Sequence, residues 1–355
     1  MAGGTGGHVF PALAVADYLR AQGVPVVWLG SRRGLESRVV PQHQFRLLTV
    51  DSAALRGSGW GGWVLAPVRI LVSLVQAMRW LLHVQPGAVL GMGGFASGAG
   101  GIAAWLLRIP LLIHEQNALA GLTNRILYPL ARVVMQGFPA TFPARPKVRS
   151  VGNPVRVEIT SVPAPDLRGP GRRSGALRIL VLGGSQGART LNAVMPATLS
   201  LFGAAPTLQV LHQCGPAHQA ETEFAYGQYT HRQDVRVVPF IDDMAGAYAQ
   251  SDLVLCRAGA LTIAELCAVG IASILVPFPH AADNHQTANA RHLASQGAAV
   301  LLPEAELDPA RLAGLIRELN VDRDRLLVMA MAARRLSQPD AARDVGRICM
   351  EALRV

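Results

Sequence analysis

The sequence predicts an α/β protein made of two Rossmann-like, doubly wound halves. Three observations support this prediction. A glycine-rich turn occurs twice, at residues 3–8 and 183–188, and each turn runs into a helix-like stretch. Short apolar runs alternate with helical stretches on both sides of the chain's middle, as in parallel sheets covered by helices on both faces. A stretch rich in proline, glycine and arginine, residues 157–176, separates the two series.

Each glycine-rich turn is a candidate anion site. Glycines at a helix start let backbone N–H groups close on an anion, and the helix dipole adds about half a positive charge. Two such turns favour two nucleotide-binding-type halves, each facing a phosphate or a diphosphate. Only Met1 and Ala2 precede the first turn, so we expect the first half to lack the strand that normally leads into such a turn.

The predicted strands are short runs rich in branched apolar residues. They cover residues 24–29, 88–90, 111–114 and 133–136 in the first half, and 178–182, 208–213, 235–239, 253–256 and 273–276 in the second. We place the domain boundary near residue 157. Ligands of open α/β sheets bind at the carboxyl ends of the strands, so the cleft between the two domains is the expected active site.

Composition narrows the class of protein. The 355 residues are enough for two domains with full cores, and 50% hydrophobic against 16% charged residues excludes disorder. A net charge of +10 favours nucleic acid, anionic lipid or phosphorylated substrates. Nucleic acid is disfavoured, because basic residues are scattered and aromatic residues make up only 5%. Four cysteines without metal or disulfide spacing indicate a reducing cytoplasm.

The segment 60–84 is the strongest membrane candidate, although its arginines argue against a spanning helix. One interpretation is a core-packed helix with a single wet polar stripe, formed by Arg69, Ser73, Gln76, Arg79 and His83. The other is a helix lying in the membrane interface. There the tryptophans would act as anchors and two arginines would reach lipid phosphates: Trp60, Trp63, Trp80, Arg69 and Arg79.

Polar and glycine-rich stretches follow two predicted strands of the first half. The cluster Gly91–Gly98, which includes Gly93 and Gly94, is either a tight turn or a second phosphate contact. The run His114–Asn117 ends another strand and is expected to meet a sugar or a phosphate. It is not a zinc HExxH motif, because residue 118 is alanine.

Three further positions each have two interpretations. Thr262 and Glu265 have the spacing of a capping box. This spacing favours a helix cap over a ribose contact by Glu265. The loop with His280, Asp283 and His285 is more typical of sugar recognition than of a metal site, because no fourth ligand is evident. His8 is either a helix-start histidine bonded to the backbone or a general base for a sugar hydroxyl.

Seven ordered motifs resemble one family across nearly the whole chain. They are AGGTGGHVFPALA, GMGGFASG, IHEQNALAGLTN, VGNPVR, GGSQGA, FIDDMAGAYAQSDLVLCRAGALTIAEL and VPFPHAADNHQTANA. They resemble the MurG family, the UDP-N-acetylglucosamine–N-acetylmuramyl-(pentapeptide) pyrophosphoryl-undecaprenol N-acetylglucosamine transferases of bacterial peptidoglycan synthesis.

The resemblance implies a GT-B fold with domains at 1–156 and 157–340 and a last helix, 341–355, that returns to the first domain. It implies transfer of N-acetylglucosamine (GlcNAc) from UDP-GlcNAc to the muramyl C4 hydroxyl of lipid I, with inversion, giving lipid II. It implies no required cofactor, with a divalent cation as an optional aid. The expected location is peripheral, on the cytoplasmic face of the bacterial inner membrane. The expected partners are an anionic membrane surface and cell-wall synthesis and division proteins, without nucleic acid.

The resemblance also implies residue roles. His8 would activate the acceptor hydroxyl, and Glu265 would hold the ribose at the reaction centre. The acceptor diphosphate would meet Gly4, Gly93 and Gly94, and the membrane region would include Trp60, Trp63, Arg69 and Arg79. No residues are expected to ligate a metal. The implied donor-site residues are Thr5, Gly6, Gly7, Asn117, Arg156, Ser185, Ile241, Ala260, Leu261, Thr262, Ile263, Ala264, Glu265 and Gln286.

Other functions remain open at the level of sequence. A related GT-B transferase could act on a different acceptor, and a non-catalytic protein could bind a nucleotide sugar within a cell-wall complex. A dinucleotide oxidoreductase is disfavoured, because residues 22–30 (QGVPVVWLG) lack the acidic side chain that binds the ribose in such enzymes.

Overall fold

A computed structural model describes residues 1–51, 66–168, 175–184, 187–203, 208–227, 234–281 and 284–353. The chain forms two compact units, Met1–Arg156 with Pro339–Val355, and Val157–Gln338. In both units the strands pair in parallel and alternate with helices. The predicted α/β class is therefore confirmed.

The first unit contains two parallel sheets. A two-stranded sheet pairs β1 with β2, and a second sheet has the order β3-β4-β5-β6. The strands are β1 Val27–Ser31, β2 Arg46–Val50, β3 Val89–Gly91, β4 Leu111–Glu115, β5 Val133–Gln136 and β6 Val148–Ser150. The helices are α1 Gly6–Ala21, α2 Glu36–Gln42, α3 Ala66–Val84, α4 Phe95–Leu106 and α5 Leu122–Leu127, joined by the final helix α14 Ala341–Leu353.

The amino terminus lies beside β3. The Met1 nitrogen donates to the Leu90 carbonyl at 2.7 Å, and the Met92 N–H donates to the Met1 carbonyl at 2.8 Å, the bonding pattern of a parallel ladder. An apolar cavity of about 510 Å³ lies next to it, and residues of both β1 and β3 line it. Met1 thus pairs with one sheet and leads directly into the first glycine turn.

Helix α14 completes the core of the first unit. Its buried residues Val345, Ile348 and Cys349 pack in one cluster with Val15 and Leu19 of α1. Gly346 lies against the Tyr18 ring, which a side chain at this position would overlap. The last helix of the chain therefore belongs with the first unit.

The second unit is built on one six-stranded parallel sheet with the order β12-β11-β10-β7-β8-β9. The strands are β7 Leu177–Leu182, β8 Leu208–Gln213, β9 Asp234–Val238, β10 Leu253–Cys256, β11 Ala272–Leu275 and β12 Ala299–Leu301. The helices are α6 Val157–Thr160, α7 Arg189–Ser200, α8 Gln219–Gly227, α9 Met244–Gln250, α10 Ala260–Val269, α11 His285–Ala294, α12 Pro309–Val321 and α13 Arg323–Arg335.

The strand order of the second unit reverses between β7 and β10. The chain moves from β7 to β8 and β9 on one side, and from β10 to β11 and β12 on the other. Leu182 at the end of β7 pairs with Cys256 at the end of β10. Because ligands of open α/β sheets bind where the strand order reverses, the two loops that follow these strands form the expected binding position.

The sequence analysis missed three strands, β2, β6 and β12. Each lies at an edge of its sheet, where side chains are less buried than in the central strands. The burial of β6, for example, is intermediate at Val148 and exposed at Arg149 and Ser150. Strands β2 and β12 are likewise only partly buried, unlike central strands such as β10 and β11, which are buried at every residue.

Helix α3 fits the core-helix interpretation only in part, because Arg69, Arg79 and His83 of the expected wet stripe are exposed but other members are not. Ser73 of the supposed wet stripe is buried, and Gln76 donates to the Asp51 carboxylate at 2.7 Å. The Trp80 indole donates to the Thr49 carbonyl at 3.1 Å, so this side chain packs inward instead of serving as an anchor. The apolar residues on the other side are exposed and are called the α3 apolar face: Val68, Leu71, Val72, Val75 and Leu82.

Candidate functional site

The first glycine turn leads directly into helix α1. Gly4 has a φ of +96°, a conformation that favours glycine, and α1 begins at Gly6 with Thr5 as its N-cap residue. The Val9 N–H donates to the Thr5 carbonyl at 3.2 Å, the first bond of the helix ladder. Gly6 and Gly7 therefore lie in the first turn, where helix amides and the dipole favour an anion.

Glu36, at the start of α2, holds this turn from beneath, and the sequence analysis missed it. Its side chain is fully buried and accepts hydrogen bonds from the Gly4 N–H at 3.0 Å and from the N–H and hydroxyl of Ser31 at 2.8 and 2.6 Å. The Gly4 amide is thus directed to a protein carboxylate. Gly4 therefore contributes to the anion site through its backbone conformation and not through its N–H group.

The two glycine-rich turns of the first unit meet at His8. A side-chain carbon at Gly93 would come within 2.8 Å of the His8 ring, and one at Gly94 would overlap the Gly3 carbonyl. Gly94 is the N-cap residue of α4, with a φ of +83°. The starts of α1 and α4 therefore converge on this histidine.

The His8 ring has a defined orientation. Its Nδ1 lies 3.3 Å from the Gly3 carbonyl oxygen. Because a carbonyl only accepts, Nδ1 carries the proton in this contact, and the lone pair is then on Nε2. The backbone bond expected for a helix-start histidine is present, and it leaves Nε2 in the form that a general base needs.

His114, Glu115 and Gln116, which were expected to meet a sugar or a phosphate, are all buried. His114 Nε2 donates to the Gly152 carbonyl at 2.9 Å, and burial lowers its pKa to about 4. The Glu115 carboxylate accepts from the N–H and the side-chain amide of Asn117 at 3.0 and 3.1 Å. These side chains support the loop, and Asn117 is the partly exposed residue of the run.

Arg156 lies near the beginning of α1. Its guanidinium carbon is 5.3 Å from the centroid of the Phe10 ring, a cation–π distance. Arg156, which is predicted to belong to the donor site, thus lies next to the helix that begins at the first glycine turn. Three predicted site residues, Trp60, Trp63 and Ser185, lie outside the described residues.

The second glycine turn requires glycine at two described positions. A side chain at Gly183 would come within 2.6 Å of the Ala188 nitrogen, and one at Gly187, where φ is +77°, would overlap the Cys214 carbonyl. The Asn192 amide donates to that same carbonyl at 2.9 Å. Gly183 and Gly187 are therefore packed tightly against the start of α7 and the end of β8.

A buried chain of polar side chains lies behind the second turn. His212 Nε2 is 3.0 Å from the Asn192 amide oxygen, and Nδ1 is 2.7 Å from the Tyr226 hydroxyl. Burial lowers the pKa of His212 to about 3, so the ring is neutral at pH 7. No sequence motif marks this group, because its members come from three separate elements.

The capping-box interpretation of Thr262 and Glu265 is wrong. Helix α10 begins at Ala260 with Gly259 as its N-cap residue, and this start has no side-chain cap. Thr262 is already inside the first turn, alongside Ala260 and Leu261. The Glu265 carboxylate instead accepts a hydrogen bond from the Tyr248 hydroxyl at 3.0 Å and is buried.

Gln286, at the start of α11, joins two loops of the second unit. Its side-chain oxygen accepts from the Ala258 N–H at 3.2 Å and from the Phe278 N–H at 2.9 Å.

Asp243 caps α9 by accepting a hydrogen bond from the Gly246 N–H at 2.8 Å. It lies two residues after Ile241, the predicted uracil contact, which is buried. Ile263 is buried within α10, next to Ala264.

The described residues include no cluster of three His, Cys, Asp or Glu side chains that could hold a metal ion. Asp283 of the loop considered for a metal lies outside the described part of the chain. The first unit thus presents two helix starts and a histidine. The second presents two helix starts with a buried carboxylate. These arrangements suit phosphate-bearing ligands and a reaction that needs one general base.

Comparisons with known proteins agree with this reading. Residues 1–136 match the glycosyltransferase family 28 N-terminal domain, and residues 178–345 match the glycosyltransferase family 28 C-terminal domain. A relative from Nitrosococcus oceani is named UDP-N-acetylglucosamine–N-acetylmuramyl-(pentapeptide) pyrophosphoryl-undecaprenol N-acetylglucosamine transferase. It is 53% identical over 99% of this chain and 97% of its own length.

Solved structures show the same similarity. The crystal structure of Acinetobacter baumannii MurG has 40% identity and a TM-score of 0.82, covering 99% of this chain and 98% of that one. The calicheamicin glycosyltransferase CalG4 has 16% identity and a TM-score of 0.66, covering 99% and 97%. The second similarity concerns the fold alone.

Proposed function

Since the chain belongs to the MurG family within glycosyltransferase family 28, we propose that it transfers GlcNAc from UDP-GlcNAc to undecaprenyl-pyrophosphoryl-MurNAc-pentapeptide, lipid I. The product is lipid II of peptidoglycan synthesis. The single observation that carries the proposal is the full-length relationship to transferases of this name, at 53% identity. The chain is thus a UDP-GlcNAc-dependent hexosyltransferase.

The second unit would bind the UDP-GlcNAc donor. The turn at Gly183–Gly187 and the start of α10 follow the paired strands β7 and β10, where the strand order reverses. First-turn amides of α10 near Ala260–Thr262 would meet the diphosphate, and the backbone at Ile241 would meet the uracil. Glu265, oriented by the Tyr248 hydroxyl, would accept from the ribose hydroxyls.

Gln286 would recognise the sugar. Its side-chain oxygen is engaged by the backbone N–H groups of Ala258 and Phe278. This bonding fixes the amide orientation and directs the NH₂ group, a double donor, as the part that GlcNAc hydroxyls would contact. Sugar recognition would then depend on the same backbone loops that bind the diphosphate.

The first unit would bind the acceptor and activate its hydroxyl. The starts of α1 and α4 would favour the acceptor diphosphate, with Gly93 and Gly94 allowing the close approach. His8 Nε2 would take the proton of the C4 hydroxyl as that oxygen attacks the anomeric carbon of GlcNAc. The bond to UDP breaks as the new glycosidic bond forms, so the configuration inverts in one displacement.

The stabilisation of departing UDP would come from the protein itself. Helix starts and Arg156 supply positive potential toward the developing negative charge. We propose that no metal is required and that a divalent cation assists at most. Activity measured in excess EDTA should stay within about threefold of the value with Mg²⁺, whereas complete loss in EDTA would contradict this proposal.

Transfer of labelled GlcNAc to a synthetic lipid I analogue tests the function. We expect labelled lipid II with this acceptor and none with acceptors that lack the MurNAc C4 hydroxyl. A labelled product only with a different acceptor would indicate another transferase. UDP-GlcNAc binding by folded protein without turnover would indicate a non-catalytic binding protein.

Two substitutions test the assigned roles. We expect His8→Ala to lower kcat by about 10²- to 10⁴-fold, the usual contribution of a general base. Glu265→Ala should mainly raise the KM for UDP-GlcNAc, because the lost contact is to the donor. Wild-type kinetics in both variants, with folding retained, would remove these assignments.

No helix among the described residues is long and apolar enough to cross a membrane. We propose that the protein instead binds peripherally to the cytoplasmic face of the bacterial inner membrane. The α3 apolar face is exposed, with Arg69 and Arg79 exposed on the same helix. Trp105 and Leu106 at the end of the neighbouring α4 are also exposed. Exposed apolar side chains flanked by arginines suit an anionic lipid surface.

Partners of cell-wall synthesis and division belong to the same proposal. An enzyme that acts on a lipid-linked substrate would work beside the enzymes that make lipid I and use lipid II. Crosslinking in bacterial membranes, with and without substitutions in the α3 apolar face, tests this association. Loss of crosslinks to such proteins on substitution is the expected result.

A further inference from the structure

Glu304 connects elements that come together at the donor side of the second unit. It lies in the short 3₁₀ turn Glu304–Glu306, which follows β12, and its side chain is 23% exposed. One carboxylate oxygen forms an ion pair with Arg257. The other accepts a hydrogen bond from the Thr190 hydroxyl at 3.2 Å.

Arg257 holds the loop that precedes helix α10. It follows the last residue of β10 and stands two positions before Gly259, the N-cap residue of α10. Its guanidinium donates to the carbonyls of Val276 and Pro277 at 3.2 and 3.4 Å, and its side chain is only 13% exposed. Arg257 therefore joins the ends of β10 and β11.

Thr190 holds the other loop. It is the second residue of α7, the helix into which the glycine turn at Gly183–Gly187 runs. Its bond to Glu304 ties the start of α7 to Arg257 through one carboxylate. The start of α7 and the residue that follows β10 are thus connected by a side chain that belongs to neither of them.

The charges decide what Arg257 does in this arrangement. Its guanidinium is paired with Glu304 and bonded to two carbonyls, so its charge is largely balanced within the protein. All three contacts are made by Nη1, so one nitrogen of a mostly buried guanidinium connects Glu304 with the two carbonyls that follow β11. The diphosphate of the donor would then be bound by the backbone amides at the starts of α7 and α10.

We propose that Glu304 is a positioning residue for binding the nucleoside diphosphate part of the donor. It keeps the starts of α7 and α10 in the relative placement at which both contact the same diphosphate. This inference rests on the proposed function, since the two helix starts matter together only if one diphosphate bridges them.

Glu304→Gln and Glu304→Ala test the inference, with Glu306→Gln and Glu306→Ala as matched controls. Glu306 lies in the same 3₁₀ turn but forms an exposed ion pair with Arg311 at 2.7 Å. Glutamine keeps an oxygen that can accept from Thr190 but loses the charge that pairs with Arg257. Alanine removes both interactions.

Steady-state kinetics and calorimetry with UDP provide the readouts. We expect Glu304→Gln to raise the KM for UDP-GlcNAc and the Kd for UDP by about tenfold, with a smaller change in kcat and none in the KM for the acceptor. Glu304→Ala should raise the KM for UDP-GlcNAc and the Kd for UDP further than Glu304→Gln does. Both Glu306 variants should match the wild type.

A double-mutant cycle with Arg257→Gln adds a second criterion. If the two side chains act as one unit, the loss of UDP affinity in the double variant will be well below the sum of the single losses. Equal donor KM values in the Glu304 and Glu306 variants would overturn the inference. So would a fall in kcat alone, which would mark Glu304 as purely structural.

The failure of this inference can be told apart from that of the proposed function. If the wild type transfers GlcNAc to lipid I while Glu304→Gln binds UDP normally, the positioning role is wrong and the function stands. If the wild type binds UDP and makes no lipid II, the proposed function is wrong, and the UDP affinities of the variants still decide the role of Glu304. If Glu304→Ala does not fold, Glu304→Gln alone decides it.

Discussion

Single buried polar residues hold the glycine turns of both units in place. Glu36 accepts the Gly4 amide in the first unit, and Asn192 holds the Cys214 carbonyl beneath Gly187 in the second. Buried polar groups stabilise a fold only when they are bonded, and an unpaired one is costly. Each of these bonds thus satisfies a backbone group at or beside a glycine of its turn.

Two buried histidines should make the protein acid-sensitive. Burial lowers the pKa of His212 to about 3 and that of His114 to about 4, both below the unfolded value near 6.5. The folded state therefore binds fewer protons than the unfolded state as the pH falls below 6.5. The free energy of unfolding should then fall by up to about 1.4 kcal/mol per pH unit for each histidine.

Urea unfolding at pH 7, 6 and 5 measures this dependence. His212→Gln removes one titrating group, so the slope of its unfolding free energy against pH should be shallower by about the contribution of one histidine. The comparison uses slopes, so a constant loss of stability in the variant does not matter. Equal slopes would show that His212 is protonated in the folded protein.

At this scale the sequence predicted which residue types matter better than what each one contacts. His8 had two interpretations, and the structure shows the backbone contact of one, which is compatible with the neutral tautomer that the other needs. The capping box at Thr262 was wrong because α10 begins two residues earlier, behind Gly259. Glu36 could not be found, because its partner Gly4 is 32 residues away.

Among the structural elements, the convergence of α1 and α4 depends on glycine contacts. Gly94→Ala should destabilise the first unit more than Gly4→Ala, although both positions have positive φ, +83° and +96°. Alanine at Gly94 would overlap the Gly3 carbonyl, whereas nothing lies within 4 Å of the corresponding carbon at Gly4. We expect an additional loss of about 1–3 kcal/mol, measured by denaturant unfolding. Equal losses would mean that the overlap is relieved without cost.

Helix α3 provides the test of membrane binding. Leu71 and Val75 are exposed on the α3 apolar face, and burying such side chains in lipid contributes about 1.5–3 kcal/mol each. Leu71→Glu with Val75→Glu should therefore lower binding to phosphatidylglycerol vesicles by at least about tenfold. Flotation of vesicles with bound protein measures it.

The control for this experiment is Val328→Glu in the second unit. Val328 is 63% exposed, comparable to Leu71 at 58%, but lies on α13. This variant should float with vesicles as the wild type does. Binding that is unchanged in the α3 variant, or equally weakened in both variants, would contradict the proposed membrane surface.

The central strands were all predictable from the sequence, whereas three edge strands and the orientation of α3 were not. Central strands such as β10 and β11 are buried at every residue, so their apolar runs are unmistakable. The missed strands β2, β6 and β12 are each only partly buried. The period of α3 revealed two faces but not which one packs, because that choice depends on Asp51 and Thr49, far along the chain.

At the scale of the whole molecule, the chain repeats one device in two units. Each unit places glycine turns at helix starts beyond the ends of parallel strands, and helix α14 at the end of the chain completes the core of the first unit. The turns differ in what accompanies them. The first unit adds a histidine with a lone pair on Nε2, and the second adds a buried carboxylate and a clamped pair of loops.

The proposed function uses this difference by giving the acceptor to the first unit and the nucleotide sugar to the second. Members of the family to which the chain belongs carry out the reaction that such a division would serve. One displacement, with one base and no covalent enzyme intermediate, must invert the anomeric centre. The configuration of the product at the anomeric carbon therefore tests the proposed reaction.

The most direct test is the structure of the product formed from UDP-GlcNAc and a lipid I analogue, determined by NMR. UDP-GlcNAc carries an α-linked sugar. We expect a single product with GlcNAc in β linkage to the C4 oxygen of MurNAc. An α-linked product, linkage to another hydroxyl, or release of free GlcNAc without a transfer product from well-folded protein would contradict it.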